Sequence, residues 1–372
     1  MTRLRRALSG IAEEAPAVDL NGLVDLAVAG HRRKRRASAL LAAVATVATV
    51  AATGTVTAAL VPSRSPQPAA PRQAEAVPDL PAGDVGPLDY AYETPCKVDG
   101  ERRHLDCSVA GWRVVTHTGR TYRLRQALAR TAQNNQAPIA ISRDGRMLAY
   151  YSPQAQAHVV RDLVSGSQVT SPVRLKETRI GPGSMLVLSD DGRHLMFDPR
   201  EGSKDPGLLI DMRTGKTVEV SGKYEAVSVR NGVAELVRYR KTDLWLMPVT
   251  GGSKPVRFKG TFMGFSELAP DGRTVAAFER NDDTMSDWVQ EMRTLTLLDT
   301  RTGRERAKVP IRGLPKGQPV WITGLWRSGS ELTVWIEEAS TRAYRVDTRT
   351  GRARLLADHP KTRLVLPGLA SS

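Results

Sequence analysis

LAPDGRTVAAFERNDDTMSDWVQEMRTLTLLDTRTG, residues 268–303, carries two kinds of tight turn around two strand-like runs. Asp271-Gly272 stands near its start and Thr302-Gly303 at its end. Thr274–Phe278 and Leu295–Asp299 between them are rich in aliphatic and β-branched residues, the composition of half-buried strands. An Asp-Gly pair suits a two-residue hairpin turn because that turn needs positive φ. The stretch therefore predicts strands joined by hairpins.

The same text recurs along the chain. Thr118-Gly119, Ser165-Gly166, Thr214-Gly215, Thr250-Gly251, Thr302-Gly303 and Thr350-Gly351 are separated by steps of 47, 49, 36, 52 and 48 residues. A second turn set alternates with the first at Asp99-Gly100, Asp144-Gly145, Asp191-Gly192, Asn231-Gly232, Asp271-Gly272 and Ser328-Gly329. Each unit then reads as a four-stranded antiparallel sheet. Such a sheet buries both faces only by stacking on copies of itself, and ring closure protects the edges. The fourth unit is short and lacks an Asp before its turn, and the first has a weak leading hairpin. The expectation is an all-β propeller of six four-stranded blades, with seven as the alternative. Thr362-Arg-Leu-Val-Leu-Pro367 reads as a last strand that closes the ring with the first blade.

The Ser/Ala-x-Asp-Gly-Arg turn followed by Leu/Ile/Val-Asp-x-x-Thr-Gly resembles the TolB-type, WD-repeat-like β-propeller family over roughly residues 134–360, with a degenerate first unit at 88–125. The resemblance implies the fold and leaves function open, since propellers host many roles. The whole layout also resembles actinobacterial single-pass membrane proteins, some of which are linked to extracytoplasmic-function sigma factors. That likeness implies a signalling role. The head here lacks the His/Cys zinc motif of many anti-sigma domains and is shorter than their helical bundle.

Four regions are expected: a basic cytosolic head over 1–36, a transmembrane helix over 37–61, a Pro/Ala-rich linker over 62–88, and an extracytoplasmic propeller over 89–372. Residues 37–61 hold no charge, and about 20 apolar residues suffice to span a bilayer. Arg32, Arg33, Lys34, Arg35 and Arg36 stand against the N-terminal edge of that span, with Arg64 alone near the other. This asymmetry places the N-terminus in the cytoplasm. A cleaved signal sequence is the rival reading, opposed by the 36-residue head. Head segments 2–14 and 20–29 have helical apolar spacing and suit either the membrane surface or a cytosolic protein partner.

Net charge is +15, with eight Lys/Arg against four Asp/Glu in residues 1–36. A basic balance favours anionic partners, but the charges are interspersed rather than blocked, and no nucleic-acid partner is expected. Cys96 and Cys107, the two cysteines, read as a disulfide outside the cytoplasm. A loop of that size contributes roughly 3 kcal/mol in the chain-entropy view. His104 lies between them, yet two thiols and one His are too few for a structural zinc cage without a distant fourth ligand.

No His-Glu-x-x-His spacing, Gly-x-Ser-x-Gly elbow, P-loop or dinucleotide fingerprint is present, so neither a cofactor nor a catalytic residue is expected. Asp282, Asp283, Asp287 and Trp288 form an acidic, aromatic loop in the fifth unit, and with Trp326 they are the candidate ligand contacts. That loop could hold Ca²⁺, but a solvated loop is the preferred reading of its carboxylates. The expected function is non-enzymatic binding or sensing of a protein or cell-envelope ligand. A structural adaptor for anionic wall polymer is the first alternative, and a metal-dependent propeller enzyme the second.

Asp162, Asp211, Asp299 and Asp347 recur at one repeat position, where a carboxylate accepts backbone N–H bonds and holds a hairpin. Asp299→Ala is expected to lower the thermal midpoint without selectively removing a ligand. Normal melting combined with lost binding would contradict that structural role.

Overall fold

The computed structural model describes residues 77–98, 105–106, 110–239, 241–280, 292–361 and 363–371. The chain divides into two units, 1–72 and 73–372, and all described residues belong to the second. The head, the basic cluster Arg32, Arg33, Lys34, Arg35 and Arg36, and the apolar run 37–61 lie outside the described residues. None of the described helices is long and apolar enough to cross a membrane.

Twenty-six strands run through the described residues. The first group is β1 (Leu88–Thr94), β2 (Lys97–Val98), β3 (Leu105–Asp106), β4 (Gly111–Thr116) and β5 (Thr121–Arg123). The second blade is β6 (Ala140–Ile141), β7 (Met147–Ser152), β8 (Ala157–Asp162) and β9 (Gln168–Arg174). The third is β10 (Met185–Leu188), β11 (His194–Asp198), β12 (Gly207–Asp211) and β13 (Thr217–Val220). The fourth is β14 (Glu225–Arg230), β15 (Val233–Arg238), β16 (Asp243–Pro248) and β17 (Val256–Arg257). The fifth is β18 (Phe262–Met263), β19 (Thr274–Glu279), β20 (Thr294–Asp299) and β21 (Glu305–Pro310). The sixth is β22 (Ile322–Ser328), β23 (Glu331–Glu337), β24 (Thr341–Asp347) and β25 (Ala353–His359), followed by β26 (Leu364–Val365).

Five sheets have sequential order, and the remaining four-stranded sheet is β26-β1-β4-β5. The blade count among the described residues is therefore six, not seven. The first unit lacks a leading strand of its own because the chain's last strand supplies it, with Ala91 opposite Val365 and Tyr92 opposite Leu364. The short β2–β3 hairpin is inserted in that blade.

Alternating side chains put each sheet's two faces into two different apolar layers. On the second blade, Leu148 and Tyr150 pack with Trp112 and Val114 of the first. Ala149 and Tyr151 pack with Leu195 and Phe197 of the third. Equivalent layers join the third to the fourth, the fourth to the fifth and the fifth to the sixth. The seam between sixth and first is aromatic instead. His359 lies 5.0 Å from Tyr90 edge to face and 6.3 Å from Trp335, centroid to centroid.

The repeated aspartates hold the turns between third and fourth strands. Oδ1 of Asp299 accepts from Arg301 N at 3.0 Å and Thr302 N at 2.9 Å, and Asp162, Asp211 and Asp347 do the same in their blades. The arginine of each Asp-Gly-Arg turn reaches the same carboxylate: Arg146 to Asp162, Arg193 to Asp211, Arg273 to Asp299. The Arg146 guanidinium holds the Asp162 carboxyl well below the usual carboxylate range. One side-chain pair thus ties both turn sets of a blade together.

The Pro-rich stretch does not stay free throughout. Leu80 is 3% exposed in the first apolar layer; Leu80 N donates to Arg123 O, and Arg123 N to Pro78 O, both at 2.8 Å. Asp79 binds Arg123 at 2.5 Å and Arg125 at 3.0 Å. Residues 77–88 therefore shield the outer edge of the first blade, which an extended spacer would have left open.

In the third, fifth and sixth blades the glycine after the turn Thr lies against the preceding blade. At Gly303, φ is +67°, and a Cβ there would overlap the Arg257 carbonyl oxygen on the outer strand of the preceding blade. Gly351 meets Pro310, and Gly215 meets Pro172, in the same way. Gly119 shares the left-handed φ, +79°, but faces open space. Gly119→Ala should cost roughly 1–2 kcal/mol for the left-handed backbone alone. Gly303→Ala should cost a further ~1–3 kcal/mol, the range for overpacking. Chemical denaturation of both variants reads the difference, and equal costs would mean that the close approach carries no energy.

Candidate functional site

The two faces of the ring differ. Tight Asp-Gly and Thr-Gly turns make one, here the turn face. The opposite, loop face carries the connections between second and third strands and those between blades.

On the loop face a cavity of about 760 Å³ lies over the fourth and fifth blades. Glu225 at the start of β14 and Glu201 from the β11–β12 loop line it on one side. Tyr239 and Lys241, just past β15, and Arg280, just past β19, line it on the other. Neither Glu201 nor Glu225 forms an ion pair among the described residues. Burial pushes the Glu225 carboxyl up to about 7, and the Glu201 and Asp198 carboxylates push the same way. Asp198 is 1% exposed. One of its oxygens accepts Arg200 N at 3.0 Å, and the other has no partner.

Tyr239 and Gly264 also line an adjoining channel of about 250 Å³ on the ring axis. Its wall is apolar, with Met185, Phe265, Ile322 and Leu325, and Trp321 stands at its mouth, 61% exposed. The chain's own tail closes the lower part. Gly368 N donates to Ile141 O at 2.8 Å, and Leu186 N donates to Ser371 O at 3.1 Å. Ser371 Oγ donates to Ile139 O, and Leu369 and Ala370 line the channel.

Beneath the tail, on the turn face, charges cross the axis. Arg143 of the second blade donates to Glu267 of the fifth and to Trp326 O of the sixth. Arg230 of the fourth blade donates to Glu267 Oε2 at 3.3 Å and approaches Asp190 of the third at 3.4 Å. Two guanidiniums satisfy a carboxylate that is 5% exposed, the condition under which a buried charge is tolerated. The arrangement makes the mouth a blind pocket: acidic on one side, apolar towards the axis.

Of the residues singled out in the sequence, Asp282, Asp283, Asp287 and Trp288 lie outside the described residues, and Arg280 at the root of their loop lines the cavity. Trp326 is 2% exposed on β22, where its indole Nε1 donates to Glu267 O at 2.9 Å and Ser266 Oγ at 3.1 Å. It is a core group, and the exposed indole of that blade is Trp321. Cys96 is disulfide-bonded, and Cys107 lies outside the described residues. No three His, Cys, Asp or Glu among the described residues are placed to hold a metal ion. His158, wedged between Tyr151 and Phe197, is pushed by burial down to about 3 and is neutral. Sequence reasoning missed Glu201, Glu225 and Tyr239, which belong to separate connections and share no spacing. Their one visible signal is placement at strand ends on the loop side.

No protein-family model matches the chain, and no curated protein does. Its fold is similar to that of solved propellers. TolB from Acinetobacter baumannii is 16% identical with a TM-score of 0.45, covering 76% of this chain and 65% of its own. The nidogen/laminin complex is 10% identical with a TM-score of 0.43, covering 77% of this chain and 97% of the matched one. Dihydro-heme d1 dehydrogenase NirN in complex with DHE is 17% identical with a TM-score of 0.39, covering 77% and 57%. The chain thus spans about two thirds of TolB and less of NirN, and the likeness is one of fold.

Glu225 titrates with opposite consequences in the two states. Unfolded, it loses its proton near the ordinary 4.5; folded, near 7. Stability falls as pH rises through that window, because the native state then holds the extra proton. Glu225→Gln should therefore raise the melting midpoint more at pH 8 than at pH 4.5. An equal shift at both values would remove the carboxylate from this role.

Proposed function

We propose that this chain is a membrane-anchored, extracytoplasmic binding protein that captures a basic segment of a protein partner at the loop-face mouth. The observation that carries the reading is the pairing of two carboxylates without ion-pair partners among the described residues, Glu201 and Glu225, with an apolar axial channel that ends blind. A Lys or Arg of the partner would neutralise the carboxylates, and a neighbouring large side chain would enter the channel beside Trp321. Such a mouth joins a polar entrance to a largely apolar channel, so apolar wall and placed polar groups meet as they do in ligand sites. The uncharged span 37–61 and the five cations before it support an anchor with the propeller outside. The head then becomes the part available to relay binding to a cytosolic protein.

The test uses the full-length chain in detergent against a library of peptides carrying one basic and one aromatic residue. Binding should weaken at least about tenfold in a Glu201→Gln, Glu225→Gln double variant and in Trp321→Ala, a loss of ~1.4 kcal/mol. Exposure of a C-terminal tag on intact cells tests the orientation. Peptide binding unaffected by either variant would refute the mouth as the site, and a tag reachable only after lysis would refute the topology.

A further inference from the structure

The second-strand residue that faces the following blade is Ala149 in the second blade, Met196 in the third, Glu235 in the fourth and Ala276 in the fifth. All four are buried, at no more than 1% exposure. The fourth blade thus places a carboxyl group where the second, third and fifth place an apolar side chain in the layer between blades. Nothing in the repeat requires it, and a buried carboxyl costs stability unless something satisfies it.

The satisfaction is incomplete. Glu235 Oε2 accepts Ser228 Oγ at 3.0 Å and Leu268 N at 2.9 Å. Oε1 is buried with no partner. The two nearby arginines are engaged elsewhere, Arg143 with Glu267 and Arg230 with Glu267 and Asp190. No ion pair to Glu235 exists among the described residues. Burial accordingly pushes this carboxyl up to about 8.

Glu235 lines a cavity of about 330 Å³ between the fourth and fifth blades, reached from the turn face between Asn231 and Gly272. Val233, Leu246, Leu268 and Pro270 make its apolar walls, and Arg230 and Glu267, paired with each other, line it as well. Ser228, Glu235 and Leu246 stand side by side on three strands, since Ser228 pairs with Glu235 and Glu235 with Leu246. A cleft with apolar walls, and one carboxyl group that has no cation partner among the described residues, fits a flexible aliphatic stem ending in a single compact cation.

We propose that this cleft is a second binding site, on the face opposite the mouth, for a primary alkylammonium group such as a lysine side chain. The stem lies along Leu246, Val233 and Leu268, and the ammonium donates to Glu235 Oε1. A guanidinium is a poorer fit, because its fork needs two acceptors and the Glu267 oxygens are already taken.

The probe is N-acetyl-lysine methylamide, with the norleucine analogue as neutral isostere, titrated calorimetrically into the full-length protein. The lysine compound should bind at least about tenfold more tightly than the norleucine compound. Glu235→Gln, which keeps the side chain's shape, should abolish that preference. Glu225→Gln at the mouth should leave it unchanged, which separates this site from the one proposed above. Leu246→Trp should block both compounds while the protein still melts cooperatively. Equal affinity for the two compounds, no binding of either by the wild type, or a lysine preference that survives Glu235→Gln would overturn the proposal.

Discussion

A flat antiparallel sheet with two apolar faces is stable in water only if a neighbour covers each face, and here the distance to that neighbour is fixed by a glycine. In the third, fifth and sixth blades the turn before the outer strand lies against the outer strand of the preceding blade, where a Cβ would collide with it. Everything else in the ring depends on that approach. The apolar layers interdigitate only at this spacing, and the aspartate clamps can brace only a turn that is already seated. The small residue and the acidic one are two halves of the same device: glycine permits the approach, and the carboxylate keeps the turn from relaxing out of it.

The two faces of the ring consequently obey different rules. In the second, third and fifth blades the clamp joins the two turns of the turn face, which limits their freedom to vary in length. The loop face has no such constraint, and its connections range from the three residues between Glu337 and Thr341 to the long one after Glu279. Specificity can be rebuilt on the loop face without disturbing a blade. On the turn face, chemistry enters by replacing a buried side chain instead, as Glu235 and Glu267 do.

Repeats made the fold readable. Asp-Gly and Thr-Gly turns at near-constant steps report backbone requirements that no packing detail can override, so blade number and strand order followed from spacing. The first blade takes its inner strand from the other end of the chain, and the apolar run 362–367 was legible as that closing strand. Residues 77–88 misled: proline content reports backbone stiffness, whereas Leu80 is held by a face that forms only in the folded ring. The mouth was illegible since Glu201, Glu225 and Tyr239 meet through three separate connections. Glu235 was hidden differently, as one exception inside a pattern read for its regularity. The indole of Trp326 was read as a ligand group from its residue type, but position along β22 turns it inward.

Borrowing an inner strand from residues 364–365 also gives the ring a birth order. A chain leaving the ribosome or a translocase can pair its second to sixth sheets in sequence, each as soon as its fourth strand has emerged. The first sheet must wait, with the inner edge of β1 bare, for a partner 274 residues downstream of Ala91. Throughout that interval the nascent domain is an open arc with an unpaired edge, the kind of surface that invites chaperones or other chains. Closure is then a single late event, and the residues that complete it are the ones that go on to fill the axis. Loss of so short a segment would leave five intact blades and no ring.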